Sequence, residues 1–523
     1  MIADLCNREW DVIIIGAGLG GGTIGRRLAE KGMSVLFIES GPNAPRAEEQ
    51  HLRDDIVDPV ARRVRGFWPG FVDETIDGRR AQYPAPLGMT VGGSSAFYAS
   101  TLERPERHDV DHSEARPHPT GGWPVRYDDL LPYYRDAEQV FEVCGDDDPL
   151  SPEVPSQLRS PPDLTACDGS MMESFRRSGL HPYRIHLGVR FLPGCRMCFG
   201  FKCPRACKMD GRSAGVDPAL STGHAALIDM CHVRALRGSR HRITHVEAER
   251  GGEILEFRAR HFILAAGALG SPRVLLSSRS EEWPNGCANS SGLVGRNLMF
   301  HMTEMLAIWP ERGVHSSGPT KAISLRDFYY VNGQRYGALA AMGIDASYGQ
   351  IVHYLNNVFD RSVLGGLRPL REFTRIPAVM AAKLFGSAKV YSALIEDLPY
   401  ENNRVMLDEV NPWAVRYEYT MHADLLQRRR EFRMLVKQRL RHQRSFFLTF
   451  QPLLNLPHAC GTIRFGNDAK TSVLDAACRA HDVANLFVAD ASFMPTSCGV
   501  NPGLTIVANA LRVADHVADQ ITH

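Results

Sequence analysis

Residues 11–40, DVIIIGAGLGGGTIGRRLAEKGMSVLFIES, constrain the fold more than any other stretch of the chain. The apolar run Val12–Ile15 has the composition of a strand buried on both faces. Gly16, Gly18 and Gly21 follow, then apolar residues at helical spacing (Ile24, Leu28) as far as Gly32. A second apolar run, Val35–Ile38, ends on Glu39. Strand, tight turn, helix and strand in this order specify the first unit of a parallel α/β sheet. The glycines let the backbone turn sharply and approach a pyrophosphate, and the helix N-terminus directs partial positive charge at it. Glu39, about 20 residues past the glycines, is placed to accept hydrogen bonds from a ribose. Gly16, Gly18, Gly21 and Glu39 are therefore expected to hold a dinucleotide, NAD or FAD.

Length and charge narrow the rest. The 523 residues suggest two or three domains, and 44% hydrophobic with 23% charged residues is an ordinary globular balance. A net charge of +1 gives no global field to recruit nucleic acid or an acidic membrane. No run reaches the roughly 18 uncharged apolar residues that a transmembrane helix needs. The nearest approach, Ile376 to Ile395, is broken by Lys383 and Lys389 and reads as a helix covering a pocket or an interface. Arg8 and Glu9 just ahead of the first strand leave no secretory signal, so a cytoplasmic location is expected. Twelve cysteines in such a chain argue against a disulfide framework.

Further along, the polar, arginine-rich segment 46–80 has a loop at Trp68, Pro69 and Gly70 and reads either as a lid over the nucleotide or as a solvated connector. In PLGMTVGGSSAFYAS, Gly92, Gly93, Ser94 and Ser95 can present backbone N–H groups and hydroxyls to a phosphate or a flat ring. After Pro124 a helix is expected, with Asp128 as N-cap and Leu130, Tyr134 and Ala137 on one face; Trp123 or a tyrosine reaching the active site is the alternative to a purely structural role. Residues 227–236 read as a strand, followed by a hairpin turning at Gly251–Gly252 and a buried strand in HFILAAG. A helix then begins, with Ser271 as N-cap and Pro272 at its first position. From Phe300 to Gln451 alternating and aromatic-rich stretches indicate an antiparallel sheet, and residues 424–444 a helix whose arginines form a solvated face, or else a docking surface for an acidic partner.

Toward the C-terminus, Leu486–Ala489 is an apolar strand ending on Asp490, and Pro502–Arg512 has helical spacing. Here the chain resembles the glucose–methanol–choline (GMC) oxidoreductases, FAD-dependent enzymes that oxidise alcohols. The resemblance rests on ordered motifs: the glycine fingerprint with Glu39, GGSS at Gly92–Ser95, GALGSPRVLL from Gly267, SGLVGRNLMFH from Ser291, HxxGT at His458, NLFVADAS from Asn485 and VNPGLT from Val500. It implies an α/β fold, a Rossmann-like FAD-binding domain (1–45, 84–102, 215–300 and 456–523) interleaved with a substrate-binding domain on an antiparallel sheet (103–214 and 301–455), with 46–83 as lid or connector. It also implies that His458 is the active-site histidine and that Asn501 stands where the family has a second histidine or an asparagine. Asp490 and Ala491 fall at positions that contact the flavin end of FAD, and Val233 at the residue whose backbone meets the adenine. Gly92, Gly93 and Ser94 fall along the pyrophosphate and ring, and Ala266 and Pro502 also fall at cofactor-contacting positions. Phe97 replaces the histidine through which some members link FAD covalently, so noncovalent FAD is expected; Tyr98 replaces an asparagine common near that point.

Chemically, a neutral imidazole at His458 can accept the hydroxyl proton while a hydride passes to the flavin N5, and the Asn501 amide can hold the same oxygen. The alcohol would be a sugar, polyol or glycoside. Alternatives are a lyase of the hydroxynitrile type, a long-chain or sterol alcohol oxidase, or a flavin-bearing interaction protein. The acceptor for reoxidation is oxygen, a quinone or a cytochrome. In GCRMCFGFKCPRACK, Cys195, Cys198, Cys203 and Cys207 are close enough to converge on one centre. Some family dehydrogenases that pass electrons to a cytochrome carry an iron–sulfur cluster on a similar run; zinc, or a loop of free or loosely paired cysteines, are the other readings.

Overall fold

The opening motif folds as its sequence demands. In the computed structural model, which describes residues 2–46, 59–153, 157–314, 320–345, 348–360, 362, 364–411 and 413–522, β1 (Glu9–Ile15) leads into a helix, Leu19–Glu30, and back to β2 (Val35–Ile38). The two strands are parallel, with Val12 opposite Val35 and Ile15 opposite Ile38. β3 (Ala225–Ile228) extends the parallel run beyond β2. β4 (His232–Ser239), β5 (Arg242–Arg250) and β6 (Glu253–Leu264) form an antiparallel meander, and the last half of β6 pairs in parallel with β1, Ile15 opposite Leu264. The outer edge of β6 is shared. β5 takes residues 253–258, and β7 (Leu486–Val488) takes Phe262–Leu264 in parallel. The carboxyl ends of β1, β6 and β7 thus open side by side onto the Gly16 turn, the Ala265–Gly267 turn and Asp490, the edge at which open α/β sheets bind ligands.

Residues 227–236 are not one strand. Met230, exposed and in the left-handed region (φ 50°), breaks the run; residues before it stay in the parallel sheet and Val233 goes to the meander. The sequence conceals such a split because strand periodicity is the same on either side of it. In HFILAAG, likewise, His261–Leu264 are the last part of the single long strand β6, and Ala265–Gly267 form the turn after it.

The second layer is a six-stranded antiparallel sheet in the order 445–447, 302–308, 389–395, 339–345, 323–325, 183–184, matching the antiparallel sheet expected of this region. One row across it runs Met305, Ser392, Ala340, Ser324. The expected helix from Ile376 to Ile395 is two elements, a helix Arg375–Phe385 and the strand Lys389–Ile395, separated at Gly386. The arginines of helix Ala423–Arg439 divide: Arg430 and Arg439 are exposed, whereas Arg429 and Arg433 both grip Glu304, which is wholly buried, and Arg428 donates to the Glu396 carbonyl at 2.6 Å. A helix bearing so many arginines is drawn inward by a buried carboxylate that must be paired. In helix Tyr127–Val140 the Arg126 N–H is capped by Asp129 at 3.1 Å while Asp128 pairs with Arg107; Leu130, Tyr134 and Ala137 are buried as expected, and Trp123 is buried with its indole N–H on Thr496 Oγ1 at 3.0 Å. Of segment 46–83, residues 47–58 lie outside the described residues; Phe71–Ile76 and Arg79–Pro84 form a hairpin that pairs in parallel with Val415–Tyr419.

Candidate active site

A single cavity of about 520 Å³ runs from the Gly16 turn to the second sheet. At its first end Gly93 (φ 55°) lies against the fingerprint: a Cβ there would sit 3.0 Å from the Gly18 Cα. Glu39 accepts the N–H groups of Ala17 at 2.9 Å and Gly41 at 2.8 Å, one on each oxygen. Burial pushes its carboxyl up to about 7 against the pull of those donors. Each oxygen keeps a lone pair for a ribose hydroxyl. Phe67 and Trp68 of the connector line the same end, and the Arg273 guanidinium lies 5.3 Å over the Trp68 ring.

The serines of GGSS hold the turn itself. Ser95 donates to Gly92 O at 2.6 Å and accepts from Gly211 N at 2.9 Å, and Ser94 accepts from Gly88 N at 3.0 Å. Asp490 ties β7 to the turn after β6: it accepts the N–H groups of Gly267 and Ser492, each at 2.8 Å, and the hydroxyls of Ser271 and Ser492. Burial nonetheless raises its carboxyl above the usual range. Because Ser271 is engaged with Asp490, Gly270 stands at the helix N-cap in its place.

At the far end, His458 sits on a short turn, Leu456–His458. Cys460 and Met299 exchange backbone hydrogen bonds at 3.0 Å, and Asn455 N donates to His301 O at 2.9 Å. These contacts pin segments 299–301 and 455–460 together and set His301 beside His458. The His301 Nε2 lies 3.0 Å from the Cys498 carbonyl, and its Nδ1 lies 3.2 Å from the His458 Nδ1. A carbonyl only accepts, so His301 carries its proton on Nε2 and presents Nδ1 as an acceptor. His458 therefore carries its proton on Nδ1, and its Nε2 lone pair is left for the cavity. The Asn501 Nδ2 lies 3.4 Å from that Nε2. Burial pulls His301 down to about 4, and burial followed by the charges of His301 and Lys321 pulls His458 well below the ordinary histidine value, so both rings are neutral at neutral pH.

Of the residues singled out from sequence, Gly16, Gly18, Glu39, Gly93, Ser94, Ala266, Asp490, Ala491, Pro502, His458 and Asn501 line this one cavity. Gly21, Gly92 and Val233 do not. Gly21 packs on the Gly16 carbonyl, where a Cβ would lie 2.0 Å from the oxygen; Gly92 donates to Ala17 O at 2.8 Å; Val233 is buried opposite Ala248. His301 escaped the sequence reading although it closes the SGLVGRNLMFH motif; a histidine ending a motif of that kind was the available signal. The remaining wall is the sheet face with Ser324, Ala340 and Ser392, small side chains that leave room for a substrate.

The cavity fits FAD. Its glycine-lined end is shaped for a pyrophosphate, its acid is in place, and it continues without interruption to an imidazole with a free lone pair. At Phe97 the ring packs on Phe67 with centroids 4.6 Å apart and offers no nitrogen for a covalent link. The four-cysteine loop behaves differently from the iron–sulfur and zinc readings. Its thiols are free and line a separate cavity of about 260 Å³, and among the described residues no three histidine, cysteine or acidic side chains converge as a metal site. The Cys203 sulfur takes the Cys207 N–H at 3.2 Å and lies in hydrogen-bond contact with the Cys198 and Cys207 thiols, and the Cys195 sulfur takes the Met197 N–H at 3.5 Å.

Comparison with known proteins agrees with this geometry. Sequence profiles described as GMC oxidoreductase match residues 10–303 and 399–510. Paromamine 6'-oxidase from Streptomyces fradiae is 29% identical, over 98% of this chain and 92% of its own length. The fructose dehydrogenase large subunit from Gluconobacter japonicus is 25% identical over 98% of each chain. Among solved structures, a formate oxidase from Aspergillus oryzae superposes with a TM-score of 0.68 over 99% of both chains at 15% identity, a likeness of fold.

Proposed function

The chain belongs to the GMC oxidoreductase family of FAD-dependent enzymes, and from that premise we propose that it oxidises a CH–OH group with His458 as the base. The observation that carries this reading is the hydrogen-bond chain in which His458 donates to His301 and His301 to the Cys498 carbonyl, which leaves the His458 Nε2 lone pair facing the cavity beside the Asn501 amide. Gly16, Gly18 and Gly93 would hold the pyrophosphate, Glu39 the ribose, and Ala266, Ala491 and Pro502 the walls of the reactive end. When bound, FAD supplies the acceptor for the hydride. The alcohol hydroxyl donates to His458 Nε2, and the Asn501 N–H groups turn to the substrate oxygen. As the C–H pair leaves as hydride and the O–H proton passes to Nε2, a C=O bond forms; Asn501 steadies the charge that gathers on oxygen in between. An imidazole with a depressed proton affinity does not retain that proton, so it is ready for the next turnover. The relatives named for paromamine and for fructose, and a wall of small and hydroxyl-bearing residues, favour a sugar, polyol or glycoside as substrate.

An anaerobic screen of alcohols for flavin bleaching, followed by reoxidation with oxygen, a quinone or a cytochrome, tests the reading. A flavin left oxidised by every alcohol, in a protein that cleaves cyanohydrins, would replace it with the lyase. The His301 assignment gives a separate expectation. His301→Leu removes the acceptor that fixes the His458 tautomer, and flavin reduction should slow by about tenfold or more, whereas His301→Gln, whose amide oxygen still accepts, should retain most of the rate.

A further inference from the structure

At the end of the cavity remote from the nucleotide cradle stands one cation to which the oxidation chemistry assigns no contact with the substrate. Lys321 precedes the strand Ile323–Leu325, is only 9% exposed, and lines the same cavity as His458 and Asn501. Its position is built. The neighbouring strand Leu339–Asp345 is irregular between Ala341 and Asp345, and there Gly343 (φ 74°) has no Cβ. One would lie 2.9 Å from the Lys321 Cβ and 2.7 Å from the Phe199 ring, so the glycine lets both side chains close in. The ammonium lies 5.6 Å from the Phe199 ring centroid. Among the described residues it has no hydrogen-bond or ion-pair partner. Glu103, the carboxylate on the same cavity end, is already engaged by Tyr183 Oη at 2.9 Å, Arg326 Nη2 at 2.7 Å and His186 N at 3.2 Å.

A buried amine with no counter-ion, opening on a substrate cavity beside the proposed base, awaits an anion from the substrate. We propose that Lys321 is the specificity-determining residue of the pocket and that the alcohol it selects carries a carboxylate, making the substrate a hydroxy acid such as a sugar acid. This rests on the reading of His458 as the base of an alcohol oxidation. A single ammonium fits a carboxylate; a phosphate dianion would leave a charge uncompensated next to Glu103, and an amino group would be repelled. The Ser324 and Ser392 hydroxyls on the same wall suit the remaining hydroxyl groups of such a substrate.

The groups facing Lys321 define its pH behaviour. Burial draws the amine down to about 7, opposed by Glu103; behind Glu103 lie Arg326 and Asp148, the latter 3.6 Å from Arg326; on the other side stand His458 and His301, both neutral. Anion binding needs the protonated amine, so kcat/KM for a carboxylate-bearing alcohol should fall as pH rises through about 7, while that of a neutral alcohol should not. Because both histidines are already neutral there, neither contributes a falling limb.

The test compares the FAD-loaded wild type with Lys321→Met, a substitution that keeps the stem's volume, using gluconate and glycolate against sorbitol and ethanol. Flavin content and melting temperature establish that the variant is folded, and acetate titrated against the flavin spectrum reports anion binding without turnover. The expected result is that Lys321→Met raises KM for the acids, and the acetate dissociation constant, by about tenfold or more, leaves the neutral alcohols within about twofold, and abolishes the fall above pH 7; Lys321→Arg should keep the acids bound but move that fall to higher pH. Neutral alcohols that reduce the flavin as well as the acids do, or acetate binding unchanged by Lys321→Met, would overturn the assignment of Lys321 alone. Failure of all four compounds and of a wider alcohol panel would instead overturn the oxidation reading beneath it.

Discussion

Replacing His458 by alanine is expected to slow flavin reduction by a bound alcohol by roughly a hundredfold or more, with flavin content unchanged. The expectation follows from geometry. His458 donates through Nδ1 to His301 and offers Nε2 to the cavity, so it is the imidazole lone pair there that accepts the hydroxyl proton. Asn501 cannot substitute, since an amide nitrogen only donates. The side chain is turned toward the cavity and the turn that carries it is held by backbone contacts, among them His458 N to Asn455 O at 2.9 Å, so its removal should leave the fold intact. Stopped-flow reduction at the wild-type rate would show that another group takes the proton. His458→Gln, retaining bulk and a hydrogen bond without basicity, should be nearly as slow as alanine.

Two glycines of the opening turn should fail in opposite ways. A Cβ on Gly18 meets nothing nearer than the Gly93 Cα at 4.0 Å, and Gly18 has the ordinary φ of −82°. Gly18→Ala should therefore leave the apoprotein as stable as before, within about 0.5 kcal/mol. The added methyl projects where the pyrophosphate must approach, and FAD affinity should fall by about tenfold or more. Gly20 lies outside the GxGxxG spacing yet is the more critical to the fold: a Cβ there would sit 1.7 Å from the Ala489 carbonyl oxygen. Gly20→Ala should cost about 3 kcal/mol and lower the melting temperature with or without cofactor. Thermal melts of both apoproteins, together with FAD titrations, separate the two. Equal destabilisation by both substitutions would mean that Gly18 serves the fold and not the ligand.

These two glycines show where sequence is informative. The strand–turn–helix–strand unit, the Gly251–Gly252 hairpin and the strand before Asp490 were legible because local periodicity and turn chemistry act within a few residues. The contact of Gly20 with Ala489 was not, because a close approach between distant segments leaves no local trace. The same holds for the inward arginines on Glu304, for the His301–His458 pair set by segments 299–301 and 455–460, and for Lys321, whose meaning depends on Gly343 and on what fails to face it. The cysteine loop stayed open in the sequence between a cluster, zinc and free thiols, because spacing alone does not point four sulfurs at one centre; among the described residues its thiols are free. Gly21 and Gly92 stand in motifs that do build the site, yet support it from behind, and Val233 lies apart from the cavity in the meander.

The sheet carries a consequence for how the chain is made. β7 comes from residues 486–488, and the helix Gly503–Thr522 packs on the fingerprint helix, Leu19–Glu30. On a ribosome adding about 5–20 residues per second, Gly20 emerges roughly half a minute to a minute and a half before the Ala489 carbonyl it abuts. Until β7 is made, the outer edge of β6 at Phe262–Leu264 lacks its neighbour, so the growing chain presents an unfinished parallel edge to chaperones and to other nascent chains. Synthesis of the stretch from Leu486 to Asp490, and not the appearance of the first motif, is then the event that completes the cofactor cradle, and translation stopped short of Leu486 yields a protein with a fingerprint but no floor beneath it.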